Sequence, residues 1–106
     1  METMKMYRVE IERHMWEGIE LKDVMNIGNS FYTTVEAARK HAERAHADGM
    51  RIHRETASES ETVTTEIWVT EYQLMGNEFL YVGLAGHFTS SDYNADVTGI
   101  LFSHCK

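Results

Sequence analysis

Residues 31–49, FYTTVEAARKHAERAHADG, carry the clearest local signal in the chain and decide how the rest is read. Thr33 followed by Glu36 has the spacing of a capping box, in which each side chain satisfies the other residue's backbone N–H. A helix is expected from there through Asp48, with Gly49 as the left-handed residue that ends it. Val35, Ala38, Ala42 and Ala45 recur at helical spacing on one face, while Glu36, Arg39, Lys40, Glu43 and Arg44 face water. A face built from alanine lets a helix lie close on a sheet, so this helix reads as a lid.

Working outward, residues 4–15 (MKMYRVEIERHM) alternate, with Tyr7, Val9 and Ile11 on one side and Arg8, Glu10 and Glu12 on the other, as a half-buried strand does. Gly18 permits a turn, and IELKD at 19–23 alternates again as a hairpin partner until the phase breaks at Val24. Residues 27–30 (IGNS) read as a loop. Beyond Gly49 only strands are expected: a short one over 50–56, a long one over 62–74, a tight turn at 76–78, a very apolar strand over 79–88 and a last one over 97–102. Connections this short favour antiparallel neighbours. The expectation is a single α+β domain spanning 1–106, an antiparallel meander sheet of four to five strands with one helix packed on one face, in the order β-(β)-α-β-β-β-β.

The later strands are apolar on both faces, which is the pattern of strands covered on both sides. Trp68, Tyr72 and Leu74 oppose Val63, Ile67 and Val69. A single helix of about 15 residues is only about 22 Å long. The second face must then be closed by curling, by residues 15–31 folding over it, by a second copy or by another protein.

Charge is one-sided along the chain. Residues 55–105 contain no Lys or Arg but eight carboxylates, whereas residues 1–54 balance nine acids against nine bases; the net charge is −7. Such a balance disfavours direct binding to nucleic-acid backbones and suits a basic partner. No apolar run is long enough for a membrane span and none reads as a signal peptide, so a cytoplasmic setting is expected. The lone Cys105 reads as a spectator thiol.

No catalytic constellation is visible, and neither cofactor nor metal is expected. His41 and His46 are five residues apart, too far round a helix to share a metal, and read as solvent histidines. His87, His104 and Cys105 are the one set that neighbouring strands could assemble into a metal site, which makes a small metal-dependent enzyme or metal-binding protein the alternative. GLAGH at 83–87 lacks the spacing of a phosphate-binding loop, and its glycines mark a bend or a close approach.

In size, acidity and β-α-β-β-β order, the MYRVEIERH strand, the FYTTVEAARKHAERA helix and the Lys- and Arg-free segment after them resemble small phage or mobile-element accessory proteins of the anti-CRISPR type. The resemblance implies a stoichiometric inhibitor in the cytoplasm of a bacterial host, occupying a basic site of a CRISPR effector or other nucleic-acid-binding complex. Those proteins share no common motif, so it assigns no residue a role. From the residues themselves, the partner-binding candidates are Glu55, Glu59, Glu61, Glu66, Glu71 and Glu78, with Trp68 and Tyr72 as aromatic anchors. A structural homodimer that closes the open face by self-association is the further alternative.

Overall fold

A computed structural model describes residues 4–58 and 60–91. Four strands, β1 (Lys5–Glu17), β2 (Glu20–Tyr32), β3 (Glu61–Met75) and β4 (Glu78–Thr89), form one sheet, and α1 (Val35–Thr56) lies on one side of it. The sheet order is β2-β1-β3-β4, with every neighbouring pair antiparallel. It is an α+β fold with one helix on an antiparallel sheet, as expected. It is not a sequential meander, because α1 carries the chain from edge strand β2 past β1 to β3. The strand expected over 97–102 lies outside the described residues.

Both hairpins turn through a glycine with positive φ, Gly18 at +62° and Gly76 at +64°, as tight two-residue connections require. β2 is longer than expected: residues 27–30 belong to it, and residues 15–31 extend the sheet instead of folding over it. Its broken phase has a definite cause. The register of β1 on β2 slips between Met15 and Trp16 and again between Ile11 and Glu12, leaving Lys22 and Ile27 as extra residues. Leu21 then pairs with Trp16, and Val24 with His14, despite their odd separation in sequence.

The helix is also longer than expected. Its N-cap is Thr34, whose Oγ1 accepts from Ala37 N at 3.3 Å; Thr33 and Glu36 form no capping box. It runs through Gly49 to Thr56, so residues 50–56 are helical. The sequence contains the reason: Ala38, Ala42, Ala45, Gly49 and Ile52 continue one stripe at spacings of four and three. Gly49 is buried in that stripe and does not end the helix. The end comes where Thr56 Oγ1 donates to Ile52 O at 2.9 Å and accepts from Val63 N at 3.1 Å, tying the last turn to the start of β3.

The core lies between α1 and the sheet. Tyr7, Val9 and Ile11 of β1, Ile67 and Val69 of β3, and Ala85 and Phe88 of β4 meet Ala38 and Ala42. Val9 pairs with Val69, and Ile11 with Ile67, so the apolar alternation of two strands meets in register. On β4 the slip between Val69 and Thr70 leaves Ala85 as an extra residue, and both Ala85 and Phe88 are buried on the core side. Their odd spacing would otherwise have placed them on opposite faces.

Gly49 sets how close the helix can come. A Cβ there would stand 2.8 Å from Thr65 Cβ and 3.0 Å from Ser90 Cβ. Both neighbours are buried and held in place, Thr65 N donating to Ser90 Oγ at 2.8 Å. Helix propensity alone favours alanine over glycine by about 1 kcal/mol. Overpacking at a site that cannot yield costs about 1–3 kcal/mol. Gly49→Ala is therefore expected to lower the urea midpoint, with a net loss of about 1 kcal/mol; a raised midpoint would contradict this seating of the helix.

Candidate protein-binding face

The sheet face away from α1 is left uncovered by the described residues, and it carries the polar half of β1. Met6, Arg8, Glu10, Glu12, His14 and Trp16 alternate with the core residues of that strand, as period-two geometry dictates. Across the register they meet Tyr72, Thr70, Trp68, Glu66, Thr64 and Thr62 of β3. Trp68 thus stands opposite Glu10, and Glu66 stands directly opposite Glu12.

Like charges directly opposite on neighbouring strands destabilise a sheet. Here each member of the Glu12–Glu66 pair has a histidine beside it. His14 Nε2 lies 3.2 Å from Glu12 Oε1, and His87 Nε2 lies 2.7 Å from Glu66 Oε2. The His87 ring is stacked on Trp68, with centroids 5.2 Å apart and an interplanar angle of 6°. Glu10 is met by Arg8 at 2.9 Å, and the Arg8 guanidinium also donates to Asn29 Oδ1 and lies over the Phe31 ring. Glu10, Glu12, Trp68 and Thr70 line a shallow depression of about 320 Å³. Tyr72 and Tyr81 make an edge-to-face pair further along the same surface.

The expected partner-binding residues are not one cluster. Glu66, Trp68 and Tyr72 share the uncovered face. Glu71 does not: it pairs with Tyr7 on the helix-covered side and is buried, with Lys5 Nζ at 3.8 Å. Glu55 lies in the last turn of the helix and is bonded to Arg51, while Glu61 and Glu78 open β3 and β4. Glu59 lies outside the described residues. Glu10 and Glu12 share this face but are not among the residues expected from the sequence, because alternation marks them only as the wet side of a strand. Their position opposite Trp68 and Glu66 follows from a long-range pairing that no local pattern encodes.

The helix histidines are not solvent groups. His46 is buried, with Nε2 3.2 Å from Thr89 O. His41 is bonded through Nδ1 to the Tyr32 hydroxyl at 2.9 Å. Among the described residues no group of three or more His, Cys, Asp or Glu side chains is placed to hold a metal. His104 and Cys105 fall outside them. No helix among the described residues is long and apolar enough to cross a membrane. Comparison with protein-family models, curated proteins and solved structures gives no match in any of the three.

Burial holds the His41 pKa below its ordinary value of 6.5, with a further contribution from the charge of Arg44. The folded chain therefore favours neutral His41, and the unfolded chain binds more protons once the pH falls below about 6.5. The stability contributed by neutral His41 is complete above that pH and is lost as the pH drops toward the folded pKa. An NMR titration is expected to give His41 a midpoint below 6.5, with urea midpoints declining over the same range; a midpoint at or above 6.5 would contradict the assignment.

Proposed function

We propose that the protein is a non-enzymatic binding module whose uncovered sheet face receives a basic protein surface. The observation that carries this reading is the set of three carboxylates, Glu10, Glu12 and Glu66, gathered on one uncovered face around Trp68. An incoming guanidinium or ammonium would find an acidic rim beside the stacked Trp68 and His87 rings, a setting that charge-assisted hydrogen bonding and contact with aromatic rings both favour. It would also relieve the repulsion between Glu12 and Glu66. Acidic steering from a chain of net charge −7 would speed encounter with such a partner at low salt. The partner class that fits is a basic, nucleic-acid-handling protein, and the specific form of the proposal is inhibition of such a complex, for example a CRISPR effector in the cytoplasm of a bacterial host.

The test is capture from bacterial lysate by the wild-type chain, by Glu12→Lys/Glu66→Lys and by Trp68→Ala, in low and high salt, followed by binding measurements on the purified captured protein. A basic protein is expected that loses its own nucleic-acid binding when the wild-type chain is added. The double charge reversal is expected to weaken binding at least about tenfold and to flatten its salt dependence, while Trp68→Ala weakens it with the salt dependence kept. Equal affinity for all three forms would overturn the reading.

One observation favours a second reading, a homodimer. Among the described residues β4 is an edge strand, without Lys, Arg or Pro, and Phe79, Leu80, Tyr81, Val82 and Leu84 are each 44–67% exposed on it. An unprotected apolar edge is a template for strand pairing. Pairing two copies of β4 predicts twice the monomer mass in light scattering at high concentration and a return to monomer in Val82→Lys; a concentration-independent monomer mass excludes it.

A further inference from the structure

The helix lies along β3 and β1, and a trough remains between its outer side and β2. Two cavities occupy that trough, of about 250 and 200 Å³, and Arg13 lines both. The polar lining of the first is Arg13, His41, Arg44, Asp48 and Thr65, closed below by Ile11 and Ile27. The second is almost wholly apolar apart from Arg13, its wall made by Met15, Met25, Ile52 and Val63.

Arg13 sits at the junction in an unusual state. It is on the helix-covered side of β1, opposite Thr65 and Met25, and its Nε is buried with no hydrogen-bond partner among the described residues. Thr65 Oγ1, on the same cavity, is also buried and unpartnered. Neither Arg13 nor Arg44 has a carboxylate within 4.0 Å among the described residues, although the chain has 17 acidic residues against 10 basic ones. Buried donors are ordinarily paired, so one that lines open space without a protein acceptor is free to take an acceptor from outside the chain. Burial disfavours the charged form of His41, so at neutral pH the formal charges lining the first cavity are two guanidiniums against the carboxylate of Asp48. A single net positive charge suits a monoanion better than a dianion. The apolar second cavity continues from the same arginine, so the complementary ligand carries its charge at one end. Taken together the two cavities reach the lower end of the ~300–1,000 Å³ range of small-molecule sites, which are likewise mostly apolar with a few placed polar groups.

We propose that the trough between α1 and β2 is a binding site for a small amphipathic monocarboxylate, its carboxylate taken by Arg13 and Arg44 and its apolar body by Met15, Met25, Ile52 and Val63. The site lies on the opposite layer of the molecule from the Trp68 face and is independent of the protein-binding reading.

The probes are sodium octanoate, 1-octanol, which has the same chain length without the charge, and sodium acetate, which has the charge without the chain, each titrated into the 106-residue chain and followed by NMR amide shifts. Octanoate is expected to saturate, with shifts concentrated at Arg13, Arg44, Met25 and Ile52, and to bind at least about tenfold more tightly than either control. Arg13→Met, checked for folding by circular dichroism, is expected to weaken octanoate at least about tenfold. Should Arg13→Met not fold, Arg44→Met, at an exposed helix position, serves in its place with a smaller loss expected. Octanoate that does not saturate, octanol that binds as tightly as octanoate, or an arginine variant with unchanged affinity would each overturn the proposal.

Discussion

The close seating of α1 on β3 at Gly49 is the constraint from which the rest of this structure follows. With no Cβ at that position, the helix backbone comes down onto Thr65 and Ser90, and the alanines at 38 and 42 allow the same approach further up. A helix held this close on β3 and β1 seals a small core of valine, isoleucine and aromatic side chains beneath it. It also cannot cover everything. The helix side of β2 is left with a trough, and the far face of the sheet is left without a layer among the described residues.

These two uncovered regions differ in chemistry because of the alternation of β1. Its odd residues pass from Tyr7, Val9 and Ile11, beneath the helix, to Arg13 at the edge of that cover, which places a guanidinium without a carboxylate partner among the described residues between two cavities. Its even residues put Glu10 and Glu12 on the far side, where β3 answers with Trp68 and Glu66. Directly opposed carboxylates disfavour a sheet pairing, and here each has a histidine beside it, His14 at Glu12 and His87 at Glu66. A cation would suit the carboxylates of the far face and an anion the guanidiniums of the trough, so the two proposed sites call for ligands of opposite charge.

Much of the architecture was legible in the chain. The alternation of residues 4–15 and 62–74, the two glycine turns, and the alanine stripe gave the strands, the hairpins and the helix face. The errors have local causes. Thr33 and Thr34 offer the same hydroxyl one residue apart, and only backbone geometry selects Thr34 as the cap. Gly49 has the chemistry of a helix end, and the same missing side chain serves a close approach instead. In β2 and β4, inserted residues reset the phase of alternation, so a strict count of two misplaced Ala85 relative to Phe88. The binding candidates form a run of acids along the chain, yet parity divides them: Glu66 faces outward and Glu71 is buried on the helix-covered side.

The sequence by itself determined the period of each element, the α+β class and the concentration of negative charge in the second half, because those are properties of neighbouring residues. Only the tertiary structure decided that β1 lies inside the sheet beside β3. That pairing joins segments some sixty residues apart, and its register is set by matching Val9 and Ile11 to Val69 and Ile67 under the helix, not by any pattern within either strand. The same match carries Glu10 to Trp68, Glu12 to Glu66 and Arg13 to Thr65, so both candidate sites are consequences of how the core closes.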